Sequence, residues 1–258
     1  MRLSYGRIFL GLLVGAVFIF LLLPSILTVP MSFSKTTYLV FPPRGFTLGW
    51  YEKFFSEDRW IIPTLFSLRL AFTTTLISLI IGTMASLALV RGMLPGKNIF
   101  NMLFIAPIMI PIIVTAIAAY GLYAKLYLIG TTIGMVIAHS LICTPYVVLV
   151  MTANLQRFDL SLEMAARNLG ANALKAFTYV TLPLIKPGMI AAGVFCFIAS
   201  LDELILAMFL IGTRRMTLPL MMFGEIQFRI NPIVAAASTI FIVASVGTII
   251  VSVFFQKE

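Results

Sequence analysis

A chain of 258 residues that is 61% hydrophobic and only 10% charged, with a mean hydropathy of +1.08, lies far from the globular balance of about half apolar and a quarter charged. It reads as an all-α integral membrane protein, because backbone groups facing lipid cannot be left unpaired. The net charge of +9 does not point to nucleic acid, since the 18 basic residues are scattered over short loops rather than gathered on one face or interleaved with aromatics.

A helix needs about 20 apolar residues to cross about 30 Å of hydrocarbon. Six segments qualify: Ile8 to Pro30, Leu65 to Val90, Ile99 to Tyr120, Leu128 to Met151, Gly188 to Ile211 and Ile233 to Phe255. The first follows Arg2 and Arg7, as a signal peptide would. It exceeds the usual h-region of about 7 to 15 residues and ends in TVPMSFSK without a small-x-small site, so it is read as a retained helix. The long segment Met31 to Thr64 then carries Pro42-Pro43 and an aromatic, acidic stretch between Trp50 and Trp60, suited to a helix at headgroup level.

Arg69, near the start of the second span, is expected to snorkel to the interface. Gly92 to Asn98 superficially resembles a phosphate loop. The glycine spacing is one residue short, and Asn98 stands where a Ser or Thr would hold magnesium, which leaves a turn between membrane helices. Pro107 and Pro111 remove backbone donors from the third span and are expected to kink it. In the fourth span His139 is expected to pack with one ring nitrogen bonded to a neighbour, and Cys143, like Cys196 in the fifth, is a small packing residue.

The polar interruption RFDLSLEMAARNLGANALKAFTYVTLPLIKP, from Arg157 to Pro187, separates two apolar runs. Asp159 or Ser161 can cap a short helix and Gly170 can end it in the left-handed conformation. A second piece from about Asn172 to Tyr179 is expected to stop before Leu182-Pro183, giving two short helices at an angle. Leu162, Ala165, Ala166 and Leu169 share a face of the first. Such a knob suits either a protein socket or the membrane surface, with Arg157, Arg167 and Lys175 near anionic lipid.

Asp202 and Glu203 fall inside the fifth span. A central acid costs about 2.5 to 3.5 kcal/mol on insertion scales, so such acids normally face an interior or a cavity. Helical projection places Glu203 with Cys196, Ala199, Ser200 and Ala207 on a narrow small or polar stripe, and Asp202 beside it. Glu203 and Ser200 are the first choice for a translocation path, with Asp202 joining them if the helix unwinds. The bland alternative is an acid pair that only fixes helix packing.

Within the polar interruption, Ala165-Ala166, Gly170 and Val180-x-Leu182-Pro183 resemble the E-A-A-x-x-x-G-x9-I-x-L-P loop of binding-protein-dependent ABC transporter permeases. Gly49-Trp50-Tyr51-Glu52-Lys53-Phe54 is similar to their outer segment, although Phe66-Ser67-Leu68 lacks the family's asparagine. Ile137 to Ala171, followed by Ser200-Leu201-Asp202-Glu203, looks most like polyamine-type permeases, those of the second permease subunit of spermidine and putrescine importers. The resemblance covers nearly the whole chain. Met164 occupies the position of the motif's glutamate, and Glu163 lies one place earlier, about 100° around the helix.

The resemblance implies a type I importer permease fold with a cytoplasmic coupling helix, forming one domain over residues 1–258 in a bacterial inner membrane. It implies that Leu162, Glu163, Met164, Ala165, Ala166, Leu169 and Gly170 meet an ABC ATPase dimer, with ATP and magnesium on those partners and no cofactor on this chain. A second, different permease and a periplasmic binding protein complete the system. Nine Lys and Arg fall on each side, so orientation rests on the acid-free Arg2–Arg7 tip and Arg91–Lys97 loop, which place both termini inside. Importers of an opine, an aminophosphonate, gamma-aminobutyrate or iron remain alternatives for the substrate, and a proton-coupled carrier using Asp202, Glu203 and His139 for the mechanism. An enzyme is disfavoured, because one histidine and few acids form no recognisable catalytic constellation.

Overall fold

The computed structural model describes residues 5–213, 215–228 and 231–255. Arg2 and Lys257, two of the residues in the orientation argument, lie outside the described residues. Among the described residues every regular element is a helix. In order these are α1 (Tyr5–Met31), α2 (Gly49–Ser56), α3 (Asp58–Arg91), α4 (Lys97–Met109), α5 (Ile112–Lys125), α6 (Thr132–Gln156), α7 (Leu160–Asn168), α8 (Ala173–Ala176), a π-helical turn (Phe177–Thr181), α9 (Leu182–Leu201), α10 (Ile205–Leu210), α11 (Leu218–Phe228) and α12 (Pro232–Phe255). Two compact units are distinguishable: one runs to Ile61 and includes Met222–Val246, the other comprises Ile62–Met221 and continues from Gly247.

Four helical stretches are long and apolar enough to cross a bilayer alone: Phe9–Met31, Asp58–Arg91, Thr132–Gln156 and Ala173–Leu201. The pair α4–α5 is long and apolar enough for a fifth if its two halves count as one span, and the sixth expected segment is α12, 24 residues long. In α3 the stretch between Arg69 and Arg91 contains no charge. Its 21 residues (70 to 90) rise about 32 Å, which matches the hydrocarbon thickness.

Three expectations are corrected. The third span is broken rather than kinked: α4 and α5 meet at 103°, because Ile110 is extended and Pro111 can donate no hydrogen bond to continue the helix. The fifth span ends at Leu201 instead of running to Ile211, with Asp202 as its C-cap and a new helix only from Ile205. The second piece of the polar segment does not stop at Leu182-Pro183. It runs through the π turn into α9, the widened turn lying just before Pro183, which has no N–H to donate.

The first unit is held by aromatic and polar contacts near α2. The indole N–H of Trp50 donates to the Ser34 carbonyl at 2.8 Å, the Ser32 and Tyr51 hydroxyls bond at 2.6 Å, and the Phe54 and Trp60 rings lie 5.8 Å apart. Both tryptophans are buried, with the Trp50 indole against Ser34 and the Trp60 ring against Phe54. Arg59 pairs with Glu225 within the same unit.

The second unit is organised around α6. Cys143, Val147, Met151 and Leu155 recur every fourth residue and pack against Ile185, Ala192 and Cys196 of α9. Lipid is as apolar as leucine, so this packing depends on close approach rather than on hydrophobic transfer. Gly188 supplies that approach: a Cβ there would lie 2.4 Å from Asn154 Nδ2. The other end of α6 joins a cluster with Ala116 and Tyr123 of α5 and Leu206, Ala207 and Leu210 of α10.

Candidate functional site

Both helix breaks of the second unit open onto one cavity of about 510 Å³, lined by Pro107 to Ile112, by Ile142 and Tyr146 of α6, and by Ala199, Asp202 and Glu203. The α4–α5 break lies midway between the charges that bracket the pair: Ile110 is 110 − 97 = 13 residues from Lys97, and Pro111 is 125 − 111 = 14 from Lys125. Irregular backbone at membrane depth is tolerated where it is buried in protein or lines a wet cavity, because each unpaired group in lipid costs several kcal/mol.

The side-chain charge has one sign, while the backbone dipoles oppose each other: at each break one helix ends and another begins, α4 before α5 and α9 before α10. Asp202 adds a carboxylate, and no Lys or Arg lines the cavity. The arrangement attracts cations, and Tyr146 adds an aromatic side chain to the lining.

The two acids differ. Asp202 is exposed, whereas Glu203 is buried and its Oε1 accepts the Leu206 N–H at 2.8 Å, capping the start of α10. Projection on an unbroken helix favoured Glu203 for the path; the break gives the accessible carboxylate to Asp202. Ser200 is buried, and its Oγ lies 2.8 Å from Nδ1 of His139, itself 1% exposed. That bond joins α9 to α6 inside the packing and supplies the neighbour expected for the histidine. Tyr146 and the Ile110–Pro111 break were missed as lining groups, since nothing in local spacing brings them to Asp202.

At the opposite end of α9 lies the hairpin of α7 and α8. Asp159 caps α7, with Oδ1 accepting the Ser161 N–H at 2.9 Å, and these hydrogen bonds from Ser161 hold its carboxyl below the usual range. Gly170 has φ +94°, and the Gly170 N–H to Arg167 and Ala171 N–H to Ala166 bonds close the helix in a Schellman motif. Asn172 caps α8 by accepting the Lys175 N–H at 2.8 Å.

None of α7 is fully buried. Leu162, Met164, Ala165 and Leu169 are exposed, Leu169 by 90%, while Glu163 and Ala166 form the half-buried inner edge. Glu163 does not stand free: Arg91 Nη1 donates to its Oε2 at 2.6 Å and Thr181 Oγ1 donates to the same oxygen at 2.8 Å. Sequence reasoning missed both partners, because they come from positions 72 residues before and 18 after it.

Broken membrane helices around an acidic cavity, with an exposed apolar hairpin at one end, are the parts of a transport permease. The chain belongs to the family of binding-protein-dependent transport system inner membrane components, whose profile matches residues 78–257. It is 34% identical over 239 residues to the putrescine transport system permease protein PotI of Escherichia coli strain K12, covering 90% of this chain and 84% of that one. It is 32% identical over 246 residues to the spermidine/putrescine transport system permease protein PotC of Haemophilus influenzae, covering 94% of each.

Among solved structures, a chain of a bacterial ABC transporter involved in import of the acidic polysaccharide alginate matches with a TM-score of 0.73 at 20% identity, over 100% of this chain and 99% of that one. The fold is that of type I ABC importer permeases, and the chain is a multi-pass membrane permease subunit of such an importer rather than an enzyme.

Proposed function

We propose that this permease imports a small polyamine, passing the cation through the cavity between the α4–α5 and α9–α10 breaks. The observation that carries the reading is the exposed Asp202 carboxylate in a cavity with no basic side chain in its lining. In a partly dry passage that carboxylate replaces some of the water an ammonium group loses. The similarity to putrescine and spermidine/putrescine permeases supports the same substrate class. Asp202 contacts the substrate, while Glu203 holds the turn that presents it and Ser200 ties that end of α9 to α6 through His139.

The energy comes from an ABC ATPase dimer that binds ATP and magnesium and seats α7 by its apolar outer face, Leu162, Met164, Ala165 and Leu169, with Gly170 fixing the turn. A second permease and a periplasmic binding protein complete the importer, which sits in the inner membrane of a bacterium with both termini of this chain in the cytoplasm. ATP-bound closure of the ATPase pair favours one arrangement of the hairpin, and transport follows from that differential binding.

The test is uptake by the complete transporter in proteoliposomes, comparing putrescine, spermidine, gamma-aminobutyrate and aminoethylphosphonate. Saturable, ATP-dependent polyamine uptake that Asp202→Asn weakens is expected. Preference for another substrate, or uptake that persists without the ATPase and collapses with the proton gradient, overturns it.

A further inference from the structure

We infer that Glu163 is an internal latch: one carboxylate oxygen holds α7 to Arg91 at the end of α3 and to Thr181 at the entry to α9, so that motion of the hairpin is transmitted along α9 to the cavity. The inference rests on the proposed docking of α7 on an ATPase and specifies how this chain receives the load.

Four elements converge at this point. Glu163 Oε2 accepts from Arg91 Nη1 at 2.6 Å and from Thr181 Oγ1 at 2.8 Å, and the Arg91 guanidinium lies 4.8 Å from the centre of the Phe158 ring, in the link between α6 and α7. The Arg91 and Glu163 side chains are each only 20% exposed, and Thr181 is fully buried. Nε and Nη2 of Arg91 are buried without a hydrogen-bond partner among the described residues. Among the described residues Glu163 is thus the sole carboxylate paired with that guanidinium, and removing it leaves a largely desolvated cation uncompensated.

Position gives the contact its role. With no fully buried residue of its own, α7 is held to the body of the chain by this polar junction along its inner edge. Thr181 closes the π turn, a widened turn of the kind that recurs at functional sites. From there α9 runs unbroken for 20 residues, about 30 Å, and ends at Asp202. The latch and the exposed acid therefore sit at opposite ends of one helix. Glu163 is a positioning residue, and its carboxylate is already engaged within the chain rather than offered to the docked partner.

The experiment uses the complete transporter in proteoliposomes and reads three quantities: ATPase subunit retained on purification, ATP hydrolysed, and substrate imported. Glu163→Gln is expected to keep the ATPase bound while raising ATP consumed per substrate at least about fivefold, with Thr181→Val raising it about twofold. R91E and E163R should each uncouple, and the exchange R91E/E163R should return the ratio to within about twofold of the original. Loss of the ATPase from the E163Q complex, an unchanged ratio in E163Q, or an exchange no better than its single variants overturns the latch.

If a charge-reversed chain fails to reach the membrane, Glu163→Ala combined with Thr181→Val decides. Glu163→Ala removes the oxygen to which Thr181 donates, so the double variant should be no worse than Glu163→Ala alone, and additive losses overturn the inference. The docking reading fails separately, if Leu169→Asp leaves the ATPase fully bound.

Discussion

The two ends of α9 meet acids in opposite circumstances. At its start Glu163, half-buried, is committed to Arg91 and Thr181; at its finish Asp202 is exposed to a cavity with no basic lining residue. A carboxylate paired with a guanidinium fixes geometry, because breaking the pair strands a charge. A carboxylate facing a cavity without a basic partner is available to a mobile cation. The same side-chain chemistry thus serves as a fastener at one end and as a binding group at the other, and the surrounding charges decide which.

The harshest way to break the comparison is to sever the rod that joins the ends. Gly188→Ile places a branched side chain where even a Cβ would meet Asn154 at 2.4 Å. Close overpacking costs about 1 to 3 kcal/mol or more, and the expected outcome is loss of most assembled transporter, measured by size-exclusion yield in detergent.

Next is Asp202→Asn, which neutralises the available acid without changing its shape. A cation contact in a partly wet cavity is worth about 1 to 2 kcal/mol, between exposed and buried pairs. Uptake at low substrate should fall about 5- to 30-fold, while assembly yield stays unchanged. Glu203→Gln is milder: the amide oxygen still accepts from Leu206, so a roughly twofold fall is expected. Equal losses in the two variants would erase the distinction drawn between these acids.

The smallest effect is local. The Asp159 carboxyl titrates below its unfolded value because Ser161 hydrogen bonds favour the charged form. Its contribution to the start of α7 is therefore complete above the unfolded pKa and lost as pH falls through the lower folded one. Hydrogen exchange at α7 should accelerate on acidification below the ordinary aspartate range, and Asp159→Asn, still a good cap, should flatten that dependence.

Local chemistry made much of this legible in advance. Apolar run lengths give the membrane class; Asp159, Gly170 and the alanine pair give the cap, the left-handed turn and the exposed knob of α7, because each depends on neighbours within one helical turn. Pro111 and the Asp202-Glu203 pair marked unusual positions in their spans. Periodicity nevertheless extends every helix it finds, so it overran the break at Asp202.

The sequence by itself determined a helical membrane protein with an amphipathic, glycine-closed hairpin between two apolar runs, since hydropathy and capping are local properties. Tertiary structure alone decided that α4 and α5 part at 103° and that their break faces Asp202. It also decided that Ser200 belongs to His139 and that Arg91 closes on Glu163 from 72 residues away. Those pairings are set by how α3, α6 and α9 pack, and packing between distant segments leaves no periodic trace in any one of them.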